Sequence, residues 1–408
     1  MGQFFRVLGP GVVSGAADND PAGVITYTQV GASTGYSLLW LMAVSTVVMY
    51  VLEEMSTRLA VVHRQGLAHV LRERFGFRSA AVLGAVFVAS NVATLGADVA
   101  GGAIALELIS GIPWQVFVVP LTALVGYVLV RGSYAQISRF LLVLTPIFFL
   151  YVVTGFWVGP DWGEVLRATV VPPIRLDVGY LAAALGLLGA TLTPYMFFWQ
   201  TDEEVESNRT VADLAGERLD VAAGMVYANL VFYFIILTAA ETLYRQGATQ
   251  IQLGTVQDAA SVLKPLLGNA AFLMFGIALF ASGVIAVPVM AAATAYLVSE
   301  LTGWREGLDR PMAQARGFYV VLLSTLASGA AFALLGVNPV ALLFWSQVLN
   351  GALLPILFAL LIVVASDRRI MGEHANGLAA NVVGWATVVA TTALAALTFA
   401  GLLRGGVS

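Results

Sequence analysis

Residues 14–23 have the sequence SGAADNDPAG, a polar, glycine-containing stretch inside an otherwise apolar segment that covers residues 8–32. Two carboxylates, an amide and a proline stand here, where a plain transmembrane helix would carry apolar side chains. Proline removes a backbone donor and clashes with the preceding turn, and glycine adds backbone freedom, so we predict that the helix unwinds here. A carboxylate buried beside such a break is costly and indicates function.

A second interruption lies at residues 186–195, GLLGATLTPY, which is again rich in glycine and carries Pro194 near the middle of an apolar segment. Each break falls in the first apolar segment of one half of the chain. Paired interruptions at matching positions of two halves indicate a transporter built from inverted repeats, with backbone carbonyls exposed to an ion. The alternative is that proline and glycine only kink these helices, as they do in many membrane helices.

The composition agrees with a membrane protein. Of the 408 residues, 59% are apolar and only 11% are charged, whereas a soluble domain carries roughly a quarter charged residues. These values exclude a cytosolic enzyme, a nucleic-acid-binding protein and a disordered chain. The net charge of −4 does not suggest a polyanionic partner. The chain has no cysteine and three histidines, which excludes disulfides and thiolate sites and argues against a histidine-rich zinc site.

About eleven apolar segments are long enough to cross a bilayer as helices. We predict an all-α polytopic membrane protein with a 5+5 inverted repeat, broken helices 1 and 6, and one extra helix. Residues 1–408 form a single transporter domain in this prediction, with repeat one at 8–158, repeat two at 178–365 and the extra helix at 378–403. No cleavable signal peptide is expected. The predicted segments are 8–32, 36–63, 79–109, 113–131, 138–158, 178–200, 219–243, 268–299, 316–336, 340–365 and 378–403.

The basic residues predict the orientation. With a cytoplasmic N-terminus, 15 of the 20 arginines and lysines fall in inside loops and 5 fall outside. The positive-inside rule therefore predicts a multi-pass protein of the cell membrane (inner or plasma membrane), with the N-terminus inside and the C-terminus outside. An acidic run at 202–206 also falls inside, but acidic residues weigh little in this rule.

Several short motifs carry a family resemblance. The sequences GPG (9–11), DPAG (20–23) and QVGA (29–32) resemble the first helix of the Nramp divalent-metal transporters, and GATLTPY (189–195) resembles the sixth. Further similarities extend along nearly the whole chain, at AIAL (103–106), GIP (111–113), SQV (346–348) and LP (354–355). The resemblance implies a divalent-metal transporter that holds its ion between the two broken helices.

Three positions depart from the pattern of that family. Gly23 stands where the family has a metal-binding asparagine, Thr193 where it has a metal-binding methionine, and Tyr195 where it has a histidine. Loss of the soft thioether removes discrimination against hard cations. The remaining set offers only oxygen, which suits Mg²⁺ or Ca²⁺. In this respect the chain resembles the Nramp-related magnesium transporters. The predicted metal ligands are Asp20, Gly23, Ala190, Thr193 and Gln347.

Further polar residues are expected around these ligands. Asp18 and Asn19 either line the path of the ion or cap the half-helix, and Tyr195 directly follows the proline of the second break. The resemblance places Asp98 and Leu95 where ordinary Nramp members keep acidic residues of a proton route. Because leucine and tyrosine cannot replace the usual acid and histidine as proton carriers, coupling to protons is not expected.

Two further pairs of polar residues have simpler interpretations. Glu53 and Glu54 are expected either to extend toward the inner surface or to pair with Arg58. Gln347 and Asn350 are three residues apart on one helix face. The family match favours a role at the site for Gln347, and we expect Asn350 to serve helix packing.

The sequence therefore predicts a secondary transporter of Mg²⁺, with Mn²⁺ as a second candidate ion, bound partly hydrated and moved by alternating access without proton coupling. One alternative is a proton-coupled Mn²⁺/Fe²⁺ transporter of the ordinary Nramp type. Another is an organic-solute carrier on the same fold, although Asp20 would repel a substrate carboxylate. An enzyme is not expected, and neither is a cofactor. The predicted partners are the transported ion and membrane lipid, with no nucleic acid. The sequence predicts no oligomeric state.

Overall fold

A computed structural model of the protein describes residues 15, 18–132, 145–245 and 253–404. Within these ranges the chain is helical and contains no strand. The longer helices are α1 (Pro21–Thr34), α2 (Leu39–His63), α3 (Leu67–Phe75), α4 (Phe77–Ser110), α5 (Gln115–Arg131), α6 (Phe149–Trp157), α7 (Trp162–Val170), α8 (Val178–Thr191), α9 (Pro194–Glu206), α10 (Leu214–Ala239), α11 (Ala271–Thr302), α12 (Arg316–Ala333), α13 (Pro339–Ser366) and α14 (Leu378–Leu403).

Short helical pieces complete the described chain. A π-helical turn, Ala240–Tyr244, continues α10. The remaining short pieces are the α-helical turns Val256–Ala260, Lys264–Leu267 and Arg368–Met371, and the 3₁₀ turns Thr145–Phe148, Val211–Asp213, Ser261–Leu263, Gly268–Ala270 and Gly372–His374.

Eight helical stretches among the described residues are long and apolar enough to cross a membrane, counting α8 with α9 as one stretch. Two shorter apolar helices, Gln115–Arg131 and Pro146–Trp157, accompany them. Every predicted segment overlaps a described helix. Of the first and fifth segments, residues 8–14, 16–17 and 138–144 lie outside the described ranges.

Two features of the helices differ from the prediction. The predicted segments stop at residue 200 and resume at residue 219, but α9 continues to Glu206 and α10 begins at Leu214. Two acidic side chains of residues 201–218 have partners inside the fold, because Glu206 accepts from the hydroxyl of Tyr296 and Glu217 pairs with Arg209 at 3.1 Å. The short helices α3 and α7 were not predicted.

Glycines allow the closest helix approaches. A methyl group on Gly283 of α11 would lie 3.2 Å from Cα of Gly102 in α4. On α8, a methyl group on Gly189 would overlap the backbone carbonyl oxygen of Gln347 in α13. One on Gly351 of α13 would in turn overlap the carbonyl oxygen of Leu185. The backbones of α8 and α13 are therefore in direct contact, which brings the second break beside α13.

Each end of the molecule has its own set of side-chain contacts between neighbouring elements. At the end predicted to be inside, Arg74 pairs with Asp367 at 3.2 Å and Arg218 pairs with Glu54 at 2.9 Å. At the opposite end, Trp157 donates to the carbonyl of Pro265 at 3.1 Å. Helix ends and connections predicted to lie on the same side thus contact each other.

Candidate functional site

Asp20 is the N-cap of α1. Its Oδ1 accepts from the backbone N–H of Gly23, and its own carbonyl accepts from the N–H of Val24 at 3.0 Å. Pro21 stands at the first helical position, where no N–H is needed. The sequence Asp-Pro therefore starts the helix and places a carboxylate at the positive end of its dipole.

A second carboxylate reaches the same helix start from α4. Oδ1 of Asp98 accepts from the backbone N–H of Ala22 at 2.9 Å. Asp20 accepts from the N–H of Gly23. The free backbone donors of the first turn of α1 are therefore satisfied by two carboxylates that come from different elements. Asp98 and Asp20 are both fully buried. This arrangement concentrates negative charge at the first break.

Gln347 connects α13 to this carboxylate. Its Nε2 donates to Oδ2 of Asp20 at 3.3 Å, and its Oε1 accepts from Nδ2 of Asn350 at 2.9 Å. Oδ1 of Asn350 in turn accepts from the hydroxyl of Ser90 on α4 at 2.7 Å. The sequence prediction that Asn350 serves packing is therefore too narrow, because this residue fixes the orientation of the Gln347 amide.

The second break supplies backbone oxygen. Helix α8 ends at Thr191 and α9 begins at Pro194, which lacks the N–H that would otherwise bond to the carbonyl of Ala190 four residues earlier. Ala190 is fully buried in the core. The end of α8 is held to α1 by Thr191, whose Oγ1 lies 3.1 Å from the hydroxyl of Tyr27. A buried carbonyl is thus left without its helical donor.

Thr193 and Asp18 bridge the two breaks. The hydroxyl of Thr193 donates to Oδ1 of Asp18 at 2.8 Å. Beside them, Nδ2 of Asn19 donates to the carbonyl of Gly15 at 3.0 Å, and the carbonyl of Asn19 accepts from the hydroxyl of Ser282 on α11. Neither Asp18 nor Asn19 caps α1, because Asp20 has that role. That alternative of the sequence analysis is therefore wrong for α1.

The structure brings the predicted residues together in two groups. Asp20, Gly23 and Gln347 are in direct contact, and Asp98 joins them through Ala22. Thr193 contacts Asp18, and Tyr195 is buried at the start of α9. Across the described residues, no three His, Asp or Glu side chains could hold a metal ion between them. An ion here would need carbonyl, amide and water oxygen as well.

Four residues that support the breaks were not predicted: Ser282, Ser90, Tyr27 and Thr191. All of these contacts join residues far apart in the chain, and no local sequence pattern predicts them. The capping role of Asp20 could have been found, because an aspartate directly before a helix-starting proline is a helix N-terminus signal.

The two adjacent glutamates of α2 behave differently from each other. Glu54 pairs with Arg58 at 3.0 Å and with Arg218 at 2.9 Å, as the ion-pair interpretation expected. For Glu53 that interpretation is wrong: its side chain is buried, at 1% exposure, and neither carboxylate oxygen has a hydrogen-bond partner among the described residues. The spacing explains the difference, because Arg58 is four residues from Glu54 but five from Glu53.

The sequence matches a known protein family over almost its whole length. The family model described as "Nramp: Natural resistance-associated macrophage protein-like" matches residues 11–401. The chain belongs to the Nramp family. A protein of Verminephrobacter eiseniae named "Divalent metal cation transporter MntH" is 30% identical, over 95% of this chain and 87% of that protein. The protein of the same name from Deinococcus radiodurans is 28% identical, over 96% of this chain and 89% of its own length.

Solved structures of other transporters share the fold of this chain. A mutant form of the manganese transporter of Eremococcus coleocola has a TM-score of 0.74 at 21% identity, covering 97% of this chain and 87% of that one. Mhp1, a nucleobase-cation-symport-1 family transporter, has a TM-score of 0.63 at 14% identity, over 98% of this chain and 93% of its own. At these identities the likeness shows the fold alone. The predicted family and the predicted all-α, inverted-repeat fold are both confirmed.

Proposed function

We propose that this Nramp-family chain is a secondary transporter of divalent metal cations, and that it carries Mg²⁺ in a partly hydrated form by alternating access. The observation that carries this proposal is the buried Asp20 carboxylate at the first break, with the Gln347 amide against it. A fully buried carboxylate inside a membrane protein marks an ion path. The relatives named above as divalent metal cation transporters support the same class of substrate.

The donor set supports a hard cation. The side chains at and beside the two breaks offer carboxylate, amide and hydroxyl oxygen, and Ala190 offers a carbonyl without its helical donor. Mg²⁺ keeps several of its waters and is held through one or two carboxylates, which fits a place where Asp20 is not joined by two further acidic ligands. To bind through its oxygen, Gln347 would rotate its amide, and Asn350 would follow.

Gly23 and Thr193 support the choice of Mg²⁺ over Mn²⁺. The hydroxyl of Thr193 is a harder ligand than the thioether expected in the family at this place. At Gly23, a Cβ atom would lie 2.8 Å from Oδ1 of Asp20, so a larger residue would disturb the cap. A proton-coupled Mn²⁺ carrier is the second candidate, and the manganese transporter that shares the fold motivates it.

We further propose that transport does not carry protons. At one of the two positions expected for a proton route, Leu95 is apolar, buried, and packed against Gly329 of α12. At the second break, Tyr195 is fully buried in place of the histidine of the family. A phenol with an ordinary pKa near 10 is a poor proton carrier at neutral pH.

The remaining assignments follow from the same proposal. We infer a transporter rather than an enzyme, a multi-pass location in the cell membrane, and an N-terminus inside with the C-terminus outside. The repeats would comprise 8–158 and 178–365, with 378–403 as the added helix. The excess of basic residues on one side supports the orientation.

The test is uptake by the full chain in proteoliposomes, with Mg²⁺, Mn²⁺ and Ca²⁺ competing and the internal pH recorded. The proposal expects saturable Mg²⁺ uptake that Mn²⁺ inhibits, with no pH change that depends on the ion. Acidification that follows ion entry would favour the proton-coupled carrier. Absence of uptake for all three ions would contradict the proposed function.

A further inference from the structure

The starting observation is the Glu53 carboxylate on α2. The side chain is 1% exposed, and both of its oxygens lack a hydrogen-bond partner within the described part of the chain. An ionised carboxylate without partners is among the most costly groups to bury. The proposed site at the breaks does not use it, and the nearby Arg58 is engaged by Glu54.

Other polar atoms continue from Glu53 along the interface of α2 and α9. Thr57, one turn after Glu53, accepts from Nε2 of Gln200 at 3.1 Å. The same nitrogen donates to Oε1 of Glu204 at 2.9 Å. Both Oε1 of Gln200 and Oε2 of Glu204 are buried and have no partner among the described residues. Four unpartnered oxygens thus lie along one helix interface.

This row of oxygens begins at the breaks. Asp18 has an unpartnered Oδ2, and its carboxylate lies within electrostatic range of that of Glu53. Its other oxygen is held by Thr193, immediately before α9. Thr193, Gln200 and Glu204 share a face by helical spacing, and eleven residues at 1.5 Å each extend about 16 Å.

The row leads toward one end of the molecule. Leu67, just beyond the end of α2, donates its N–H to the hydroxyl of Thr201 near the end of α9 at 3.0 Å. The two helices therefore run to the same side, which is the side predicted to be inside. Two arginines at this end are already paired with other acids: Arg218 with Glu54 and Arg209 with Glu217.

We propose that Glu53, Gln200 and Glu204 form a second divalent-cation site, which receives the ion after it passes Asp18 and before it reaches the inner surface. This proposal rests on the proposed function. The site supplies the carboxylates of Glu53 and Glu204 and the amide oxygen of Gln200. No three acidic or histidine side chains of the described residues could chelate an ion there, so the ion binds through water.

The test counts ions bound to the purified full chain. Mn²⁺ serves as the probe, and free Mn²⁺ is measured by electron paramagnetic resonance, with Mg²⁺ added as a competitor. Wild type is expected to bind two Mn²⁺ ions. Glu53→Gln, which keeps the shape and removes the charge, is expected to bind one. Glu54→Gln is the matched control one residue away and is expected to retain two.

The outcomes separate this proposal from the one on which it rests. If Glu53→Gln binds as many ions as wild type, and Asp20→Asn removes an ion, the second site is wrong and the proposed function stands. If wild type binds no Mn²⁺ and transports no divalent ion, the proposed function itself is contradicted. If Glu53→Gln does not fold, Glu204→Gln decides: weaker binding of the second ion supports the site, and unchanged binding overturns it.

Discussion

Asp20 combines a structural role with the proposed binding role. One of its oxygens caps α1 and the other accepts from Gln347. Asparagine caps helices about as well as aspartate, so Asp20→Asn should keep the fold while removing the charge. We expect loss of Mg²⁺ uptake with little change in the melting temperature.

The matched control for Asp20→Asn is Asp161→Asn, which changes another N-cap aspartate on the exposed helix α7. This variant should transport as wild type does. Near-normal Mg²⁺ uptake by Asp20→Asn would remove Asp20 from the site.

Thr193 allows a test of ion selectivity. Thr193→Met introduces a soft sulfur, displaces water by its bulk, and releases Asp18 from its hydrogen bond. We expect weaker Mg²⁺ binding and tighter Cd²⁺ binding, with relative affinity shifted by about tenfold, or ~1.4 kcal/mol. Calorimetric titration of both ions measures the shift.

The control for this selectivity test is Thr392→Met on the exposed face of α14. It should leave both affinities unchanged. If Thr193→Met binds both ions as wild type does, the side chain at 193 does not reach the ion.

For individual residues, local patterns in the sequence predict only part of the candidate site. The Asp-Pro pair identifies the start of α1, and four-residue spacing would have separated Glu54 from Glu53. By contrast, the bond from Asp98 to Ala22 spans 76 residues, and the bond from Gln347 to Asp20 spans 327. Such contacts depend on how the helices pack together, and a local sequence pattern does not predict that packing.

Among the elements, the contact of α8 with α13 is the most sensitive to side-chain volume. Gly189→Ala would place a methyl group into the carbonyl of Gln347, and overpacking of this kind costs roughly 1–3 kcal/mol. We expect a lower melting temperature and weaker ion binding, because the backbone that carries Gln347 must shift.

A matched control for Gly189→Ala exists on the same helix. A methyl group on Gly179 would lie 3.6 Å from Oδ1 of Asp177, an ordinary contact. Gly179→Ala should therefore leave stability and binding unchanged or slightly improved. Equal behaviour of the two variants would show that α8 and α13 are not in direct backbone contact.

The positions of the elements were largely predictable, because apolar length and proline placement identify the spans and the breaks. The helices within residues 201–218 were not predictable, because the acidic residues there lower the hydropathy to a value typical of a loop. Burial of Glu206 against Tyr296, and the pairing of Glu217 with Arg209, make helices possible there.

On the scale of the whole molecule, buried acids at the predicted inner end make stability depend on pH. Burial, with Glu300 and Glu206 nearby, raises the pKa of Glu306 to about 9, although Arg310 opposes this effect. The folded state therefore holds a proton that the unfolded chain releases above its ordinary value of 4.5. Stability should fall as pH rises from about 5 to 9, by at most ~1.4 kcal/mol per unit for this group.

Thermal melting of the purified protein across this pH range measures the effect. Glu306→Gln cannot ionise and should show a flatter decline than wild type. Glu373→Gln, which changes a side chain that is 89% exposed, should follow wild type. Parallel curves for wild type and Glu306→Gln would contradict a raised pKa at this position.

In the proposed site, Pro194 has no ligating atom of its own but leaves a backbone carbonyl free to bind the ion. Because the backbone leaves helical geometry at Leu192 and Thr193, and Pro194 has no N–H, the carbonyl of Ala190 remains available. Pro194→Ala would return that hydrogen and is expected to weaken ion binding in a titration with every oxygen-bearing side chain intact. Pro288→Ala, inside α11, is the comparison. Equal binding by both variants would exclude this carbonyl. Ion preference can therefore change through substitutions that no inventory of side-chain donors would detect.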